Sequence, residues 1–226
     1  MGLIKGLIFD FDGLILDTEQ PSYSAWAQIY TDHGVELDIN HWATGLGSSE
    51  AAFNPVAHLQ GMLNHTVDEA MLRNTARIST DQAILGLKPL PGILTTLITA
   101  RQMGLKLAVA SSSPRSWVAG HLKRLDLYHF FNYVVCMEDV PQVKPAPDLF
   151  LAALSGLGLN SPEAIVFEDS PNGITAARRA DIFTVAIPNI VSNRLNTSHA
   201  NLVLPRIDAL PLSELLQNAE TAEVPA

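Results

Sequence analysis

Six short runs of this chain are apolar at nearly every position: residues 3–9, 105–110, 133–136, 164–167, 183–187 and 202–204. Uninterrupted apolar runs, unlike alternating ones, suit strands covered on both faces, as in a parallel sheet. Between them lie segments such as "SWVAGHLKRLDLY" and "DLFLAALSGLG", whose apolar residues recur at helical spacing. Strands alternating with helices predict an α/β, doubly wound parallel sheet.

One connection breaks this rhythm. Between Thr18 and about Ala83 no strand pattern occurs, and three stretches read as helices: "PSYSAWAQIYTDHG", "SSEAAFNPVAHLQGML" and "TVDEAMLRNTARISTDQAI". The gap is too long for a crossover and long enough for a small helical domain. "GLKPLPG", residues 86–92, ends it, because its prolines and glycines stop a helix and stiffen the return. The expected organisation is a Rossmann-like core of residues 1–17 and 88–226, with a helical cap of residues 18–87 inserted.

Composition narrows the function classes. The formal charge of −9, with Lys and Arg scattered rather than striped, disfavours nucleic acid and anionic membrane surfaces as partners. No run approaches the ~20 apolar residues of a membrane span. The single cysteine, Cys136, excludes a disulfide scaffold and a cysteine-rich zinc site. A cytoplasmic protein is expected, with a monomer as the default. The closing "QNAETAEVPA" reads as a frayed tail.

The polar residues at the strand ends carry the chemistry. The first strand ends in Asp10-Phe11-Asp12-Gly13, the second in Ser111-Ser112-Ser113, and the fourth in Glu168-Asp169-Ser170; Lys144 precedes a proline-opened helix. In open α/β sheets ligands bind beyond the carboxyl ends of the strands, so four separate stretches converge on one site. Asp10, Asp12, Glu168 and Asp169 would crowd one pocket. Two like charges ~4 Å apart repel by roughly 4 kcal/mol at an effective dielectric of 20, so the cluster requires protons or a cation. An all-oxygen donor set without His or Cys suits Mg2+. Lys144 and the Ser111 hydroxyl suit phosphate, and turn amides around Phe11, Gly13 and Ser112 could line an anion-binding concavity. Together these are the parts for phosphoryl transfer.

"DFDGLILDTE", Ser111, Lys144 and "EDS" resemble, in order and spacing, the four signature motifs of the haloacid dehalogenase superfamily. The helical insertion resembles the small α-helical cap of its phosphatase and β-phosphoglucomutase-like members. The resemblance implies that Asp10 attacks phosphorus to form an aspartyl-phosphate. Asp12 would protonate the leaving oxygen and then activate water. Mg2+ would be held by Asp10, the backbone carbonyl of Asp12 and Asp169, with Glu168 in or beside the shell. Lys144 and Ser111 would hold the phosphoryl group. Neighbouring carboxylates favour the acid form of Asp12 and a divalent cation opposes it.

Within that resemblance, dehalogenases lack a carboxylate at the position of Asp12. β-Phosphoglucomutases carry a His ten residues beyond the second Asp and an Arg in the cap loop. Here those places hold Ser22 and "TGLGSSEAAF", with Ser48 and Ser49 and no Arg. Water as acceptor, hence a phosphatase, is favoured over a mutase. A phosphorylatable receiver domain would be about half this length and lack the paired aspartates. Substrate contacts are expected from Glu19, Ser22, Arg115 and the cap loop at Gly45, Leu46 and Gly47, and the substrate is expected to be a small phosphorylated metabolite, sugar phosphates above all. Ser113 is expected to cap a helix, Trp26, Trp42 and Trp117 to pack cap and core, and Arg178 and Arg179 to lie on the surface.

Overall fold

The structure, a computed structural model, describes residues 3–45 and 53–221. Leu46, Gly47, Ser48 and Ser49 of the expected cap loop fall outside the described residues.

Strand β1 (Gly6–Phe9) is followed by four helices: α1 (Glu19–Asp32), α2 (Ile39–Ala43), α3 (Pro55–Met62) and α4 (Glu69–Leu85). The chain then alternates through α5 (Ile93–Gln102), β2 (Lys106–Ala110), α6 (Arg115–Arg124), β3 (Tyr133–Val135), α7 (Asp148–Leu157), β4 (Ala164–Glu168), α8 (Pro171–Arg179), β5 (Phe183–Ala186), β6 (Leu202–Val203) and α9 (Leu212–Thr221). All six strands are parallel, in the order β3-β2-β1-β4-β5-β6. After β1 the chain builds to one side through β2 and β3, then crosses to β4 and builds to the other. The ends of β1 and β4 therefore flank the switch point, where a doubly wound sheet opens a crevice.

The uninterrupted apolar runs reflect two covered faces. Leu7, Phe9, Leu107, Val109, Ile165 and Phe167 pack on one side with Leu97, Val118, Leu122 and Leu215 of α5, α6 and α9. The alternate residues Ile8, Ala108, Ala110 and Val166 face Leu149, Phe150, Ala153 and Ala177 of α7 and α8. Strands are shorter than the apolar runs. At the first, Ile4 points its amide to the Glu220 carboxylate, 3.4 Å away. The expected tail is helical as far as Thr221, because Leu215 and Ala219 are buried against the core.

Helices α1 to α4 form their own apolar cluster, centred on Trp26, Ile29, Tyr30, Val56, Leu59, Leu72 and Ala76. The buried Tyr30 hydroxyl donates to the Pro55 carbonyl at 2.7 Å and lies 3.0 Å from His58 Nδ1, so α1 is fastened to α3 without an orphaned polar group. Side chains of Asp38, Asn54 and Asp68 cap the starts of α2, α3 and α4. α2 has no counterpart in the hydrophobic pattern: five residues are too few to show a helical period.

The two connections into the sheet touch each other. The amide of Leu90 donates to the carbonyl of Ile15 at 2.9 Å. Arg124 of α6 donates to the carbonyls of Leu85 and Leu87, each at 3.0 Å, and so ties the end of α4 to the sheet layer.

Candidate active site

A cavity of about 520 Å³ opens over the ends of β1, β2 and β4. Its floor is made by Asp10, Asp12, Ser111 to Pro114, Lys144 and Glu168 to Ser170, and its roof by Thr18, by Glu19 and Ser22 of α1 and by Thr80 and Ile84 of α4. The pattern brought the first set together. Thr80 and Ile84 had no sequence signal, since only the packing of α4 on α1 turns them inward.

Asp10 continues β1 beyond its last paired residue, its amide bonded to the Phe167 carbonyl at 3.0 Å. The chain then folds back sharply at Gly13, where φ is +80°. A Cβ there would fall 2.5 Å from Asp169 Oδ2 and 2.6 Å from Asn189 Nδ2. Glycine is thus required both by the left-handed turn and by the carboxylate pressed against it.

The Lys144 ammonium is buried between Asp10 and Glu168, bonded to Oδ1 of the first and, at 2.6 Å, to Oε1 of the second. Burial alone would lower its pKa, but the two carboxylates outweigh that and hold it above the ordinary lysine range. Glu168 Oε2 accepts from the amides of Asp169 and Ser170 (2.9 Å each) and from the Ser170 hydroxyl (3.0 Å). Both oxygens of Glu168 are therefore engaged. Expected in or beside a metal shell, it orients Lys144 and the β4 turn, contacts that suit a place beside such a shell.

Carboxyl groups outnumber cations among the side chains lining this cavity. Five carboxylates, Asp10, Asp12, Glu19, Glu168 and Asp169, face one ammonium. Burial pushes the Asp10 carboxyl up to about 7, helped by Glu168 and Asp12 and opposed by Lys144. Burial lifts Glu19 to about 8, with repulsion from Asp12, Asp10 and Asp17 adding to it. Asp169 is likewise raised, by burial and then by Glu168, Asp10 and Glu19.

Asp10 and Asp169, with the backbone carbonyl of Asp12, are the oxygens suited to a hard divalent cation. No cluster of three or more His, Cys, Asp or Glu side chains fit to hold a metal occurs among the described residues. Mg2+ ordinarily keeps several waters and takes one or two protein carboxylates, so its binding does not depend on such a cluster. Asn189 was not anticipated. Its amide donates to Asp169 Oδ2 at 2.8 Å and to the Gly13 carbonyl at 3.1 Å, joining the two turns that carry the donor oxygens.

The Asp12 side chain takes no part in that donor set. Oδ1 accepts from Thr18 Oγ1 and from Trp117 Nε1, both at 2.9 Å. Oδ2 accepts from Ser113 Oγ at 2.6 Å and from Ser111 Oγ at 3.4 Å. Ser113 and Trp117 are thus corrections: neither a helix cap nor mere packing, both hold Asp12. The signal was their place at the start of α6, directly after a strand end. Ser112 Oγ is buried without a protein partner, at the cavity wall.

Other expectations are redirected. Arg115 turns away from the cavity to bond Asp139 and the Val134 carbonyl (3.1 Å), because the first turn of α6 lies against the end of β3. Gly45 packs beside Phe53 and is not part of the cavity wall. The Phe11 ring is buried in the core against His121, leaving only its backbone toward the turn. Trp42 packs on Tyr23 and Phe53. Arg179 donates to the Pro145 carbonyl at 2.9 Å and braces the segment carrying Lys144.

Residues 7–187 match the family model described as "Haloacid dehalogenase-like hydrolase". "Putative phosphatase YhcW" of Bacillus subtilis (strain 168) is 39% identical over 193 residues, covering 85% of this chain and 87% of that protein. "Fructose-1-phosphate phosphatase YqaB" of Escherichia coli (strain K12) is 32% identical over 184 residues, covering 80% of this chain and 95% of that one. Among solved structures, "putative beta-phosphoglucomutase" from Thermotoga maritima superposes with a TM-score of 0.75 at 25% identity, covering 94% of this chain and 100% of that one. The chain belongs to the haloacid dehalogenase-like hydrolases, and it is an enzyme.

Proposed function

We propose that this enzyme is a Mg2+-dependent phosphatase of small phosphorylated metabolites, sugar phosphates foremost, working through an aspartyl-phosphate. The observation that carries the reading is the pairing of a buried lysine with Asp10 at the floor of a cavity that Asp12 also lines. An ammonium fixed there can orient a carboxylate for in-line attack and compensate charge on the phosphoryl oxygens.

In the first step an Asp10 oxygen bonds phosphorus while the ester P–O bond breaks, and Asp12 gives its proton to the departing oxygen. In the second, water attacks phosphorus, Asp12 takes its proton, and the Asp10–P bond breaks to release phosphate. Lys144, the Ser111 hydroxyl and the unpartnered Ser112 hydroxyl suit the phosphoryl oxygens. A bound Mg2+ would supply charge neutralisation for the attacking carboxylate and the phosphoryl group. Asp10 and Asp169 would hold it.

A cavity of about 520 Å³ suits a metabolite rather than a macromolecule. Relatives named as phosphatases of fructose 1-phosphate, of phosphorylated carbohydrates and of validoxylamine A 7'-phosphate support a sugar-like substrate. Mutase chemistry is the second reading, favoured by the Thermotoga maritima neighbour. Against it, Ser22 occupies the cavity wall where a mutase would carry histidine.

The test is phosphate release from p-nitrophenyl phosphate and a panel of sugar phosphates with Mg2+. Release that Asp10→Asn abolishes supports the proposal. Isomerisation of a sugar phosphate without net phosphate release would replace it with the mutase reading, and silence across the panel would refute both.

A further inference from the structure

We infer that the substrate carries one phosphate and no second anionic group, and that the roof of the cavity enforces this choice. The inference rests on the phosphatase reading above and narrows its substrate class to phosphomonoesters whose remainder is an uncharged polyol.

Floor and roof differ in chemistry. Lys144, on the floor beside Asp10, is the one cation among the described residues that line the cavity, and two carboxylates hold it at the phosphoryl end. The roof bears Glu19, Ser22, Thr80 and the apolar Ile84, while Thr18 gives its hydroxyl to Asp12. The side chains of Glu19, Ser22 and Thr80 have no hydrogen-bond partner among the described residues. A hydroxyl both donates and accepts, and a carboxyl can accept from two neighbouring hydroxyls at once. Three such groups beside one aliphatic side chain match the alternating O–H and C–H surface of a polyol. Glu19 plays this part with or without its proton, since neither form brings positive charge.

No side chain among the described residues supplies a cation to the roof. Residues 18–87 contain only two Lys or Arg residues, Arg73 and Arg77. Both are exposed on α4, paired with Glu69 at 2.8 Å and with Asp81 at 3.2 Å, and neither lines the cavity. His33, His41, His58 and His65 of the cap are likewise outside its wall. From the core, Arg115 is held by Asp139 and the Val134 carbonyl. A carboxylate or second phosphate on the substrate would therefore lose water at the roof without gaining an ion pair. An unpaired charge of this kind rejects the wrong partner, while the matching hydroxyl compound keeps its hydrogen bonds.

Two matched pairs of esters test this. Glycerol 3-phosphate and 3-phosphoglycerate differ by a hydroxymethyl against a carboxylate, and fructose 1-phosphate and fructose 1,6-bisphosphate by a hydroxyl against a phosphate. Wild-type kcat/KM should favour the first member of each pair by ~100-fold. Thr80→Lys and Ser22→Lys each place an ammonium on the roof, and either should narrow that ratio by ~10-fold; two variants guard against one that fails to fold. Equal kcat/KM within a pair, or a ratio that the folded variants leave unchanged, overturns the inference. Calorimetry reads the same choice without turnover. Of two phosphonates, 3,4-dihydroxybutylphosphonate should bind ~100-fold more tightly than 2-hydroxy-4-phosphonobutanoate. Wild-type protein inert toward every ester would sink the phosphatase reading. Tighter binding of the first phosphonate would still uphold the charge selection, and equal or absent binding would overturn it.

Discussion

Glu168 fills the space where any side chain at Gly173 would begin: a Cβ added to Gly173 would lie inside the Glu168 carboxyl group. The first turn of α8 is therefore smooth at that position so that Glu168 can reach Lys144. Gly173→Ala must displace Glu168 or the helix. Overpacking of this kind costs ~1–3 kcal/mol, and Lys144 loses a counter-ion as well. The expected outcome is a lower melting temperature together with a severe loss of activity, read by calorimetry and by phosphate release.

The raised carboxyls fix a pH dependence for the metal-free protein. Asp10 moves from 3.8 to about 7 and Glu19 from 4.5 to about 8, so folded chains retain protons that unfolded chains have lost. Stability is then greatest below about pH 4 as far as these groups are concerned, and declines as pH rises toward 8. Each tenfold gain in proton affinity is worth at most ~1.4 kcal/mol, less for Glu19, whose side chain remains partly open to the cavity. In EDTA the melting temperature should fall between pH 5 and 8, and Glu19→Gln should flatten that slope. A melting temperature rising over the same interval would contradict the assignment.

Asn189 grips Asp169 and the Gly13 carbonyl from outside the donor set. Partners of metal ligands typically contribute ~10–100-fold in metal affinity. Asn189→Ala should raise the Mg2+ concentration needed for half-maximal activity by about that factor, while maximal activity at saturating Mg2+ changes far less.

Arg115 is predicted to be dispensable for the substrate. Its guanidinium is taken by Asp139 and Val134 at a partly exposed site, and ion pairs of that kind contribute ~0–1 kcal/mol. Arg115→Ala should leave KM for any active ester unchanged. A several-fold rise in KM would return Arg115 to the substrate contacts.

What could be read beforehand followed physical simplicity. Strands buried on both faces leave uninterrupted apolar runs, and acidic residues at their tips stand out against them, so the sheet and the residues Asp10, Asp12, Lys144 and Asp169 were legible. Trp117 and Ser113 escape such a reading because their chemistry depends on where the α6 start falls relative to another strand's end, a relation between residues ~100 positions apart. Asn189 lies in an irregular loop with no period to betray it, and Thr80 and Ile84 owe their place to one helix packing on another. Arg115 misleads for the opposite reason: a cation near a phosphate motif looks available until its own neighbours are known.

The surplus of carboxylates around Lys144 also dictates an order of arrival. A phosphate ester brings more negative charge into a cavity that already repels it, and each like-charged pair at ~4 Å costs roughly 4 kcal/mol at an effective dielectric of 20. Such a host favours a sequence in which the cation enters first and the ester second. Under the proposed Mg2+ dependence the two ligands would be linked: scarce Mg2+ would weaken the grip on the ester, and a saturating ester would tighten the grip on Mg2+ by the same factor. If the enzyme takes Mg2+ as proposed, its acidic floor makes metal supply a control on substrate binding as well as on rate.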